Sequence, residues 1–199
     1  MTLLFNKLVN SLIQIILFGA IPFIWWYVTS RKSQSIWNWI GLKKMRNTYS
    51  SLLWIAGVSF VFIFFGASIL YLLKDIDMAT SEFAGLGVRA ILPVFVYAVF
   101  NTAFSEELLF RGFLLKRIEN KFGFFAGNTV QAVLFGLLHG VMFFPLAGVA
   151  KAVWVITVTG SIAWFMGYIN ERKAGGSILP SWIIHALSNI FSGLCTAFL

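Results

Sequence analysis

Only three side chains are charged between residues 90 and 115, and they cluster in Phe104-Ser105-Glu106-Glu107-Leu108-Leu109-Phe110-Arg111-Gly112. A charge at bilayer depth costs from roughly 3 to more than 10 kcal/mol, so an apolar segment that carries three of them has a use for them. On a helix Glu107 and Arg111 stand four residues apart and share a face, which lets them pair. Glu106 points about 100° away from Glu107 and is left free. A carboxylate held away from water is a stronger base and a candidate to activate a water molecule. The plainer use of the same residues is a structural ion pair that locks helix packing.

The chain has two histidines, and both lie in apolar segments. His139 follows Phe135 by four residues, and His185 precedes Asn189 by four, so each pair shares a helical face. Amide hydrolysis needs an activated water and donors for the developing oxyanion. Glu106 fits the first requirement, and His185 and Asn189 fit the second. A metal route uses the same residues differently: Glu106, His139 and His185 make a two-histidine, one-carboxylate set for zinc with an open position. The His-Glu-x-x-His helix of soluble zinc proteases is absent, as is a serine nucleophile elbow. The single cysteine, Cys195, excludes an intrachain disulfide and has no histidine at helical spacing.

The elements that carry these residues are apolar throughout. Of 199 residues, 59% are hydrophobic and 11% charged, and the mean hydropathy is +0.86. That composition is too apolar for a soluble domain of this length and predicts an all-α integral membrane protein. The net charge of +8 comes from basic residues placed between apolar runs, so it sets topology and does not indicate a nucleic-acid partner. Six spans are expected, at about 8–30, 52–73, 90–115, 124–144, 151–169 and 180–199, with a break at Pro145 and Gly148 and a surface-lying piece at 36–40. The chain reads as a single membrane domain, with two accessory spans in 1–87 and a core in 88–199. The loops at 31–46, 116–121 and 172–173 are basic and alternate with poor ones, which predicts that those three are cytoplasmic and both termini outside. At about 1.5 Å per residue, Glu106, His185 and Asn189 reach similar depths, with His139 the deepest. A polar catalytic pocket formed by helices three, four and six follows.

Glu106-Glu107-x-x-x-Arg111, Phe135-x-x-x-His139 and His185-x-x-x-Asn189 resemble the three motifs of the CAAX-protease and bacteriocin-processing (CPBP, or Abi) family of intramembrane endopeptidases. That family includes the type II CAAX prenyl proteases. The resemblance covers the last 110 residues or so. It implies a conical helical core whose cavity opens to the membrane and to the cytoplasmic side. It implies peptide-bond hydrolysis with Glu106 as base, His139 assisting at the water, and His185 and Asn189 at the oxyanion. Glu107, Arg111 and Phe135 would support the site. The expected substrate is a membrane-associated peptide or protein. The expected location is a bilayer of the bacterial plasma-membrane type, in several passes. No metal is expected to be obligatory, although zinc has a ligand set. A non-catalytic scaffold or immunity-type protein is the alternative, or a small proton-coupled transporter; a transporter should show inverted repeats, and the sequence has none.

Overall fold

The structure is a computed structural model that describes residues 2–199. Helix α1 spans Leu3–Thr29, α2 is the short Ile36–Ile40, and α3 is Thr48–Leu72. After a loop, α4 forms one rod over Gly87–Phe122. Helix α5 covers Phe124–Tyr168 and winds on through Ile169–Lys173, and α6 is Leu179–Phe198. No strand occurs among the described residues. Five helices there, all but α2, are long and apolar enough to cross a bilayer.

The sixth crossing comes from α5. Its 50 residues would extend about 75 Å, more than twice a hydrocarbon core. The chain turns back at Gly148, whose φ of 78° and ψ of 173° suit a residue without a Cβ. Pro145, expected to share the break, lies inside the helical arm instead. The arms 124–147 and 149–173 are antiparallel and pack through small residues. A Cβ on Gly136 would stand 2.7 Å from the Ile156 carbonyl oxygen, and one on Gly140 would stand 2.9 Å from that of Ala152. This is close helix packing through a small-x-x-x-small pair. Buried Asn128 and Gln131 bond across it, donating to Trp164 O at 2.9 Å and to Ala163 O at 3.0 Å.

Helix α1 starts earlier than expected because Thr2 caps it, its Oγ1 accepting from Phe5 N. That brings Lys7 inside the helix, buried and paired with Glu82. Leu12, Ile16 and Leu17 on α1, Phe60 and Phe64 on α3 and Leu137 and Val141 on α5 stay exposed, as lipid-facing residues do. Beneath them Ile55, Val158, Ile162, Met166, Ile169 and Ile184 join α3, α5 and α6 in one core. The protein is a multi-pass integral membrane protein.

The three basic loops meet at one end. Arg46 N donates to Ala174 O at 3.0 Å and Ile178 N to Gly41 O at 2.9 Å. Lys116 bonds Glu171 and Gly176 O, at 2.5 and 2.8 Å. At the other end, Lys7 reaches Glu82, Lys151 Nζ donates to Leu72 O and Thr196 meets Thr80.

Candidate active site

The middle of α4 is not an α-helix. Tyr97–Phe104 and Leu108–Leu115 are wound as π-helix around the single α-turn Ser105–Glu107. Such wider turns are rare and concentrate at functional sites. Polar side chains fasten them. Thr102 Oγ1 donates to Tyr97 O and Ala98 O, at 3.2 and 3.3 Å, and Ser105 Oγ donates to Thr102 O at 3.0 Å. From α6, Trp182 Nε1 donates to Val99 O at 2.8 Å, with its ring 4.7 Å from that of Phe104.

Glu107 and Arg111 pair as their spacing predicts, Arg111 Nη1 donating to Glu107 Oε1 at 2.8 Å, and both side chains are fully buried. The same oxygen is 3.0 Å from His185 Nδ1. A carboxylate oxygen only accepts, so Nδ1 carries the hydrogen and Nε2 is turned to the other side. There it faces Glu106, with Nε2 and Oε2 3.8 Å apart. Glu106 Oε2 is buried and has no protein hydrogen-bond partner. The two carboxylates therefore differ: Glu107 Oε1 accepts from both a guanidinium and an imidazole, while Glu106 Oε2 has no hydrogen-bond partner.

Phe135 is the spacer of this group. The Arg111 guanidinium lies 4.3 Å above its ring, His185 meets it edge-on at 5.7 Å, and the His139 ring is 4.4 Å away. Phe110 packs against it at 5.1 Å. His139 Nδ1 donates to the Phe135 carbonyl at 2.8 Å, which again frees Nε2. Asn189 Nδ2 donates to Thr102 Oγ1 at 2.7 Å, so one of its N–H bonds is committed and one remains. Thr102 is a site residue that the sequence reading missed, although it lies four residues before Glu106 on the same helix. Asn101 was missed too: it is 5% exposed, and its Oδ1 has no protein partner.

Glu106, His139, His185 and Asn189 all line one cavity of about 650 Å³. Helices three, four and six of the expected order do contribute, but α1, α3 and the second arm of α5 line it as well. Lys7 and Phe18 come from α1, Phe62 and Leu70 from α3, and Thr159 and Met166 from α5. The two spans read as accessory are walls of the pocket. From Glu106 the cavity runs past Asn101 and Tyr97 to the loop at 78–82.

None of the described residues of the basic loops is among the residues that line the cavity. Helix α2 lies at the end where those loops meet. It packs Trp39 and Ile40 against Leu108 and Ile178, with Trp26 and Phe113 around them, and Arg117 stacks on Trp39 at 3.9 Å. Gly112 admits it: a Cβ there would sit 2.9 Å from Ile40 O.

As a zinc site the residues fit poorly. No three His, Cys, Asp or Glu side chains among the described residues converge as metal ligands.

Comparison with known proteins agrees with the motifs. No curated protein and no solved structure matches the chain. The family described as "Type II CAAX prenyl endopeptidase Rce1-like" matches residues 88–191, a little over half the chain, which takes in Glu106, Glu107, Arg111, Phe135, His139, His185 and Asn189. The chain belongs to the Rce1-like family of type II CAAX prenyl endopeptidases.

Proposed function

We propose that this protein is an intramembrane endopeptidase that hydrolyses a peptide bond of a membrane-associated peptide or protein, with Glu106 as general base. One observation carries the reading: a carboxylate whose buried Oε2 has no hydrogen-bond partner and lies 3.8 Å from an imidazole nitrogen, on a cavity that His139 and Asn189 also line. A water molecule in front of Glu106 gives up a proton to it as its oxygen bonds to the scissile carbonyl carbon. His139 Nε2 accepts from the same water and orients it. The free N–H of Asn189 and a protonated His185 Nε2 donate to the oxyanion, and the Glu107 carboxylate behind His185 supports its positive charge. The C–N bond then breaks, and the proton held by Glu106 passes to the leaving nitrogen.

The reading needs no metal, and no step is routed through one. The test uses purified protein in detergent, a set of apolar fluorogenic peptides, and a chelator. Glu106→Gln preserves shape and one acceptor but cannot take a proton from water, so cleavage is expected to vanish while thermal unfolding is unchanged or shifts upward. Wild-type turnover in that variant sinks the mechanism. Loss of activity in chelator with recovery on adding Zn²⁺ keeps Glu106, His139 and His185 but makes them ligands.

A further inference from the structure

The hydrolytic scheme uses nothing from Asn101, yet this residue lines the same cavity as Glu106 and is only 5% exposed. Its Oδ1 is buried and has no protein hydrogen-bond partner. A buried acceptor left unsatisfied costs about 1–3 kcal/mol, so an apolar side chain would make the helix more stable at this position. The bond that Ser105 Oγ donates to Asn101 O, at 2.5 Å, is to the backbone and needs no amide. The winding of α4 aims the side chain. On an α-helix, residues 101 and 106 would point about 140° apart. Tyr97–Phe104 is π-helix, whose bonds close between residues five apart, and this turns Asn101 towards the face of Glu106.

We propose that Asn101 is a substrate-binding residue, whose Oδ1 accepts a backbone N–H two residues from the scissile bond and so sets the register of the peptide against Glu106. The spacing supports this. Five residues of helix separate Asn101 from Glu106 by at most about 7.5 Å along the axis. Two residues of an extended chain cover about 6.7 Å, and every second residue of such a chain turns its N–H and C=O to the same edge. A peptide whose scissile carbonyl stands before Glu106 therefore brings a backbone N–H to Asn101. The rest of the lining suits its side chains, with Phe62 and Leu70 from α3 and Phe143 from α5. A volume of about 650 Å³ accepts a few extended residues, not a folded domain.

The word substrate rests on the endopeptidase reading, and the experiment reads binding so that the two can fail separately. The Glu106→Gln protein in detergent is titrated with a labelled apolar peptide and with analogues that each carry one backbone ester, an oxygen in place of one N–H. The same titration is run on Glu106→Gln/Asn101→Leu. One ester is expected to weaken binding about tenfold, as loss of a hydrogen bond to a buried acceptor does. In the Asn101→Leu protein the same ester should have no effect, because the bond it removes is already gone. Asn101→Leu should leave the unfolding midpoint in place or raise it, since it removes an unpaired buried oxygen. Equal ester losses in the two proteins overturn the proposal, and so does a set in which no peptide binds. A lowered midpoint with an unchanged ester pattern makes Asn101 a purely structural residue and overturns it as well. Asn101→Ala repeats the comparison if Asn101→Leu does not fold. Cleavage by the unsubstituted chain tells the two readings apart. Asn101-dependent binding without hydrolysis retires the endopeptidase and supports the subsite, and hydrolysis with an ester pattern indifferent to Asn101 does the reverse.

Discussion

A single oxygen, Glu107 Oε1, accepts from both Arg111 and His185. The pair with Arg111 was legible in the sequence because both residues ride one helix at i and i+4. The bond to His185 was not, because it spans 78 residues and depends on how α6 packs on α4. This shared oxygen couples fold to chemistry. Arg111→Ala leaves Glu107 as a buried charge with one neutral donor, a loss of about 3–5 kcal/mol for a broken buried pair. Both the yield of folded protein and the residual hydrolysis should fall, read by thermal unfolding in detergent and by the peptide assay. Asn189 gives a finer comparison. Asn189→Ala removes the proposed oxyanion donor and is expected to slow cleavage by about 10²–10³. Thr102→Val removes the partner of its other N–H and the hydroxyl bonds to Tyr97 O and Ala98 O, so turnover should drop less than in Asn189→Ala while the unfolding midpoint falls. Equal losses would mean that holding Asn189 in place is all it contributes.

The elements were legible where hydrophobic length sets them and illegible where backbone geometry does. Six apolar runs predicted six crossings, and the hairpin in α5 accommodates the fourth and fifth. The π-helical turns of α4 leave no mark in apolar periodicity. Their traces are Thr102, Ser105 and the distant Trp182, whose hydrogen bonds take up carbonyls that the wider turn displaces. The glycine seam acquires meaning only with the antiparallel return of the second arm. His139 depends on it, being one residue before Gly140 in the arm that the seam holds against the second arm. Gly136→Ala would force a methyl to within 2.7 Å of Ile156 O and 3.1 Å of Gly160 Cα. Backbone atoms have little room to yield, so we expect about 1–3 kcal/mol of destabilisation. Activity should fall as His139 shifts, whereas Gly57→Ala on α3, where a Cβ meets nothing within 4 Å, should leave the unfolding midpoint in place. A neutral Gly136→Ala would show that the arms can slide apart without cost.

At the scale of the molecule, the protein is a chamber walled by all five long helices, with the basic loops gathered at one end. The alternation of charged loops predicted which loops share a side, and the bonds joining Arg46, Lys116 and Ile178 to their partners show them together. The place of α2 was not legible, because a five-residue helix at 36–40 reads as a surface piece until its contact with α4 is known. Its seat is Gly112, one residue from Arg111, where Ile40 Cγ1 would be 2.5 Å from any Cβ. Gly112→Val therefore cannot keep α2 in place. Lifting α2 removes Trp39 and Ile40 from the cluster with Leu108 and Ile178. The overpacking should lower stability by about 1–3 kcal/mol, read by thermal unfolding in detergent. An unshifted midpoint would mean that α2 leaves its seat on α4 without cost.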